Sequence, residues 1–344
     1  MMRMRRSVGA YAGIIAAVVA AAVLVIAAAV FAFGAGADDG GRRTVDVEPR
    51  AGLSDYSWTE LSAIAAEISA CSDEADAIAV AARYGLCAED GSLGDLSDES
   101  KMKQIVLGDG RTVHVQLAGI WHDERADGGK AGLTFVFANA VGEHAMNHAF
   151  EDAEGENPDS TGGWAACDMR TWLNGDFYRS LPDEVRSCIV PVQKRTASRI
   201  GANAELDEAG RLVGGRADWI DETTDSLWLF SASEICGDVP TNDLLGVDST
   251  MAAVYAGEGT QYRLFADWDV KAFEPNATLM RTSGTWWLRT KTLEFGDGFW
   301  LVGTDGTPLN GYGEDARVVQ DPEFAPDALW GPDHARGVVA GFCL

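Results

Sequence analysis

The chain has 344 residues, 47% of them hydrophobic and 11 of them Trp, with 53 acidic against 27 basic side chains and a formal net charge of −26. That apolar content supports a packed core and excludes a disordered stalk, while the acidity repels phosphate backbones and so excludes nucleic acid as a partner. No Gly-rich segment, Gly210 to Gly215 included, ends in the Lys-Ser/Thr of a phosphate loop, which excludes nucleotide binding.

Residues 1–8 carry Arg3, Arg5 and Arg6 and read as a cytoplasmic stub. Residues 9–36 contain no charged side chain, and a helix needs about 20 such residues to cross a bilayer. The basic side of that run stays inside. The expectation is a single-pass signal anchor in the cell membrane, with the N-terminus cytoplasmic and the body extracytoplasmic. Ala35-Gly36-Ala37 has the small-x-small form of a cleavage site, but secretory signals usually have apolar cores of about 7–15 residues, so a retained anchor is favoured.

Residues 37–53 form a linker and residues 54–98 a helical hairpin. Ser57 with Glu60 is a capping box opening a helix through Leu61, Ile64 and Ile68, and Ser72 is placed as the cap of a second helix. Six cysteines in an oxidising compartment point to disulfides. Cys71 and Cys87 fall at opposite ends of the hairpin, roughly 20 Å apart at 1.5 Å per residue, so they are not bonded to each other.

Residues 99–344 form an α+β surface domain. Lys103 to Leu107 and Thr112 to Ile120 alternate around Gly108-Asp109-Gly110 as a hairpin. Further strands are expected at Leu133 to Ala138, Ser226 to Phe230, Trp286 to Lys291, Phe299 to Val302 and Val338 to Cys343. Helices are expected at Ala166 to Leu173 and after Ser180, with Pro182 at the first helical position. Asn203 to Asp218 reads as a surface loop. The fold class expected is α+β: an N-terminal transmembrane helix, a short helical hairpin and a mixed, mostly antiparallel domain.

Gly162-Gly163-Trp164, Met169-Arg170-Thr171-Trp172-Leu173-Asn174, Thr224-Asp225-Ser226-Leu227-Trp228-Leu229-Phe230-Ser231-Ala232-Ser233-Glu234 and Trp286-Trp287-Leu288-Arg289 occur in this order. Over about residues 100 to 344 the chain resembles a domain-of-unknown-function family of bacterial surface proteins. The resemblance implies a C-type-lectin-like fold. Arg336-Gly337-Val338-Val339-Ala340 departs from the family's closing Gly-Val-Arg-Pro-Ala-Leu, so a site built on that Arg-Pro is not carried over.

Function must then be sought in residues, because fold does not transfer it. Glu274-Pro275-Asn276 matches the tripeptide of calcium-dependent sugar sites, and its oxygens suit calcium. Asp123, Glu124 and Asp127 form a second calcium candidate, weighed against a plain solvated loop. Trp287 and Arg289 make a platform for a sugar or peptide side chain if exposed, or a core Trp with a structural ion pair if not. His144 and His148 are spaced i, i+4, but Ala145 stands where a zinc protease carries its Glu, so that mechanism fails.

No catalytic set is assembled by these residues. A formylglycine-generating-type oxidase needs two cooperating cysteines, with Cys236 and Cys343 as the pair to consider. The function expected is therefore a membrane-anchored binding or adhesion module of the cell surface, taking a glycan or a surface protein. The alternative is a structural or assembly component of the envelope, and the oxidase comes third. Calcium is the one cofactor in view.

Overall fold

The computed structural model describes residues 46–94, 99–152, 155–158, 162–197, 219–243, 247–292, 298–310 and 333–344. They belong to one compact unit, Thr44–Leu344. The expected surface loop from Asn203 to Asp218 lies outside the described residues.

Helices α1 (Trp58–Ser69) and α2 (Glu74–Arg83) form the hairpin. The capping box is made: Ser57 Oγ accepts from Glu60 N at 3.2 Å and Glu60 Oε2 accepts from Ser57 N at 2.7 Å. Asp73, and not Ser72, caps α2, its Oδ1 accepting from Asp76 N at 2.9 Å. An ionised cap also opposes the positive end of the helix dipole, which a hydroxyl cannot do as well.

Fourteen strands are described. Strands β1 (Met102–Val106), β2 (Thr112–Ile120) and β3 (Leu133–Phe137) run antiparallel, with Met102 opposite Gln116 and Leu117 opposite Phe135. Next come β4 (Glu143–His144), β5 (Ala149–Asp152) and β6 (Gly155–Pro158). A chain of short helices, Gly163–Ala166, Asp168–Trp172, a π-helical turn at Leu173–Phe177, and Tyr178–Ser180, precedes one at Asp183–Arg186, where Pro182 is the N-cap. Strands β7 (Val192–Ala197), β8 (Ile220–Asp225), β9 (Trp228–Leu229), β10 (Trp286–Lys291), β11 (Phe299–Val302), β12 (Pro308–Leu309), β13 (Arg336–Gly337) and β14 (Ala340–Cys343) complete the set.

They build one sheet in the order β1-β2-β3-β14-β9 and a second in the order β12-β11-β10-β13-β4, with two-stranded ribbons β5-β6 and β7-β8. All described strand pairs are antiparallel except β10 with β13, where Trp286 lies opposite Gly337. The hairpin helices share the core of the sheets: Trp58 packs 5.7 Å from Phe135 and 6.2 Å from Phe342, ring centre to ring centre.

Two expectations are corrected. Among the described residues no helix is long and apolar enough to cross a membrane. The longest of them, α1, has 12 residues, which spans about 18 Å against a hydrocarbon core of about 30 Å. The described fold is therefore α+β with mixed sheets and no membrane-spanning helix among the described residues; residues 9–36, the expected span, lie outside them. No disulfide joins any of the six cysteines, all of which are buried. They sit in separate parts of the core, Cys188 donating to Glu184 O and Cys167 to Trp164 O, so burial as small apolar groups has taken the place of pairing.

Candidate functional site

The helical run from Gly163 to Ser180 divides its residues between two faces. On the inner side Trp164 Nε1 donates to Asp225 Oδ2 at 3.0 Å and Arg170 Nε to Asp225 Oδ1 at 2.6 Å. Asn174 donates to Leu227 O at 2.9 Å, and its Oδ1 accepts from Ser226 N at 2.9 Å and Leu227 N at 3.1 Å. The Gly-Gly-Trp, Met-Arg-Thr-Trp-Leu-Asn and Thr-Asp-Ser-Leu-Trp motifs are thus one clamp, which locks this run to β8 and β9. Their polar atoms are spent inside the fold.

The outer side is different. Asp168, Thr171, Trp172, Gly175, Asp176 and Arg179 recur at intervals of three and four and so form one stripe. With Glu143, His144, Asn147 and His148 they line an open cleft of about 740 Å³. His144 stacks on Trp172 at 4.7 Å, and Trp172 in turn lies 5.2 Å from Phe177. His148 Nδ1 bonds to Asp168 Oδ2, which also accepts from His148 N at 2.9 Å. That pairing holds the Asp168 carboxyl below the usual range. The π-helical turn at Leu173–Phe177 lies under the cleft, and such turns are frequent at functional sites.

His144 ends strand β4 and His148 follows in an irregular turn, so the pair does not share a helix face. Both nevertheless reach one cleft. The segment after β4 is tied to the helical stripe by Met169 N, which donates to Met146 O at 3.0 Å, and by Asp168 N, which donates to Asn147 Oδ1 at 3.0 Å.

A second polar assembly lies inside the protein. Lys194 Nζ donates to Asp123 Oδ1 at 2.5 Å, to Glu234 Oε1 at 2.9 Å and to Tyr262 OH at 2.7 Å. Arg289 makes a two-point pair with Glu234 and donates to Thr196 Oγ1 at 2.9 Å. Burial alone would raise the Glu234 carboxyl, but the charges of Arg289 and Lys194 prevail and hold it at about 2. Asp123 is held well below its usual value in the same way: burial opposes ionisation and Lys194 overcomes it. Among the described residues Glu258 has no such direct partner. It accepts from Ala197 N at 2.9 Å and Thr290 Oγ1 at 2.6 Å, and burial pushes it up to about 7.

The residues proposed from sequence are dispersed. Trp287 and Arg289 are both fully buried in β10, so they make no exposed platform; Arg289 is the structural ion pair. Strand β10 is central in its sheet and covered on both faces, which hides both sides of its alternation. Glu274 is exposed and lines a separate depression with Asp238 and Asp269. Asn276 is occupied: its Oδ1 accepts from Thr278 N at 3.0 Å and its Nδ2 donates to Trp268 O at 3.0 Å, so its carbonyl caps a turn.

The loop carboxylates each have their own cation. Asp123 pairs with Lys194, Glu124 with Lys130 at 2.8 Å and Asp127 with Arg125 at 2.6 Å. Among the described residues no group of three or more His, Cys, Asp or Glu side chains is placed to hold a metal ion. Cys236 and Cys343 are buried and their thiols are pushed up by burial, so no open two-thiol groove is formed.

A family model described as a domain of unknown function, DUF6273, matches residues 135–318. That span contains the whole clamp and nearly all of the cleft. No curated protein matches the chain, and no solved structure does either.

Proposed function

Since the chain belongs to the DUF6273 family of domains of unknown function, we propose that it is a recognition module whose ligand lies in the cleft between β4 and the outer stripe of the 168–179 helical run. One observation carries this reading. The clamp residues spend their hydrogen bonds internally, whereas Asp168, Trp172, Asp176 and Arg179 on the same helices line an open concave surface opposite His144 and His148.

The cleft chemistry suits a neutral glycan. Carboxylates accept from sugar hydroxyls, a guanidinium donates to them, and the Trp172 and His144 rings offer apolar edges for a sugar face. The strong negative charge of the chain disfavours an anionic ligand. The implied kinship to lectin-like surface domains belongs to the same proposal.

The test is a glycan array probed with the full chain, followed by calorimetry on any hit with Trp172→Ala and Asp176→Ala. The expected result is a loss of at least about tenfold in affinity, as for a buried aromatic anchor, with the circular dichroism spectrum unchanged. Unchanged affinity in both variants sinks the assignment of the cleft. A protein partner held in a pull-down equally by wild type and both variants favours the assembly role instead.

A further inference from the structure

Lys194 and Asp123 are set up for more than an ion pair. Their side chains are 2% and 3% exposed, with Nζ 2.5 Å from Oδ1. The Lys194 ammonium lies 4.1 Å from the Trp228 ring centre and 5.3 Å from that of Tyr262, so aromatic walls keep water out. A second carboxylate, Glu234, touches the same nitrogen at 2.9 Å and is anchored by Arg289. The geometry points to an intramolecular amide bond between Lys194 Nζ and Asp123 Cγ, formed once by the folded chain with loss of one water.

The hydrogen bonds already run in the direction the step requires. Lys194 Nζ donates to Tyr262 OH at 2.7 Å, and Tyr262 OH donates to Asp123 Oδ1 at 2.7 Å. A proton passing along this relay turns the ammonium and carboxylate into an amine and a carboxylic acid protonated on Oδ1. The charged pair is the resting state, as the depressed Asp123 carboxyl shows, and the neutral pair is the minor species that the attack draws off.

The amine then attacks Cγ, and negative charge develops on Oδ2. That oxygen accepts from Thr134 Oγ1 at 2.6 Å and from Cys343 Sγ at 3.3 Å, donors fixed before the charge appears. Glu234 takes one of the two protons left on the nitrogen and delivers it to the departing Oδ1 hydroxyl. The C–O bond breaks, water leaves, Oδ2 returns to a carbonyl and Glu234 is again a carboxylate. Nothing is oxidised or reduced.

Proximity supplies the driving geometry, since fixed reactants gain effective molarities on the order of 10⁵ M or more. A single turnover per chain also tolerates a slow step. The bond joins the segment after β2 to β7 across 71 residues of sequence.

Mass spectrometry of the purified full chain decides the matter. The expected intact mass is one water below that of the sequence, and proteolysis yields a branched peptide joining the Asp123 and Lys194 segments. Lys194→Ala and Asp123→Ala should each restore the full mass expected for the variant. Lys194→Arg, which keeps the charge but has no amine nucleophile, does the same should the alanine variants misfold. Linear peptides carrying Asp123 and Lys194 separately from natively folded wild type overturn the proposal. So does a lost water that maps to a linear peptide, which is a cyclised aspartate and not a cross-link.

Discussion

Glu258 ends a 3₁₀ turn at Ala256–Glu258 and faces Arg289 and Glu234 of the buried cluster, with no direct cationic partner among the described residues. Its carboxyl rises from 4.5 in the open chain to about 7 in the fold, so the native state holds the extra proton between those values. Its stabilising share is complete below about pH 4.5 and is lost as pH rises through 7. Glu234 works in the opposite sense: held at about 2, it stabilises above about pH 4.5 and ceases to do so as pH falls toward 2. Thermal unfolding should therefore be most resistant at mildly acidic pH. Glu258→Gln, an isostere of the protonated form, should raise Tm at pH 8 and leave it unchanged near pH 4.5. Equal Tm changes at both pH values would contradict the buried, protonated state.

At the scale of elements, the close approach of β3 to α1 depends on one residue. A methyl group at Gly132 would lie 2.0 Å from the backbone oxygen of Ala65, inside helix α1, where no side-chain adjustment relieves it. Gly132→Ala should lower stability by about 2–4 kcal/mol, in the range of overpacking with backbone displacement. Gly142→Ala, with nothing within 4 Å of the added carbon, serves as the neutral control in denaturant titration. Equal midpoints for the two variants would count against this packing.

Elements of this kind were readable from sequence where their cause is local. The Ser57 capping box and the Gly108-Asp109-Gly110 turn involve neighbours a few residues apart, and both form as expected. Strand β8 was not legible, because Ile-Asp-Glu-Thr-Thr-Asp has no apolar alternation; it is held by pairing with β7. The cleft was hidden for a related reason. Its two walls are twenty or more positions apart, and the bonds that join them, Met169 N to Met146 O and Asp168 to His148, leave no periodic trace. Alternation leaves Arg289 open between a platform and a structural ion pair, because it tells which residues share a face, not whether that face is covered; burial of β10 makes it the ion pair.

At the largest scale, the described residues share one continuous core from Leu53 to Leu344 that includes the hairpin. Trp58 holds it together by packing on β3 and β14 simultaneously. The hairpin and the sheets should consequently melt in a single transition. Trp58→Ala should lower its stability by about 3–5 kcal/mol. An early separate loss of helical signal in wild type, with the sheets intact, would show that the hairpin folds on its own.

The buried thiols have a practical meaning for the same core. Burial drives Cys87 up to about 11 and Cys167 to about 12, so neither presents a thiolate at neutral pH. Alkylating reagents can reach them only through an opening of the surrounding structure. The chain thereby carries six native clocks, spread from the hairpin to β14, whose labelling rates time how often each region breathes.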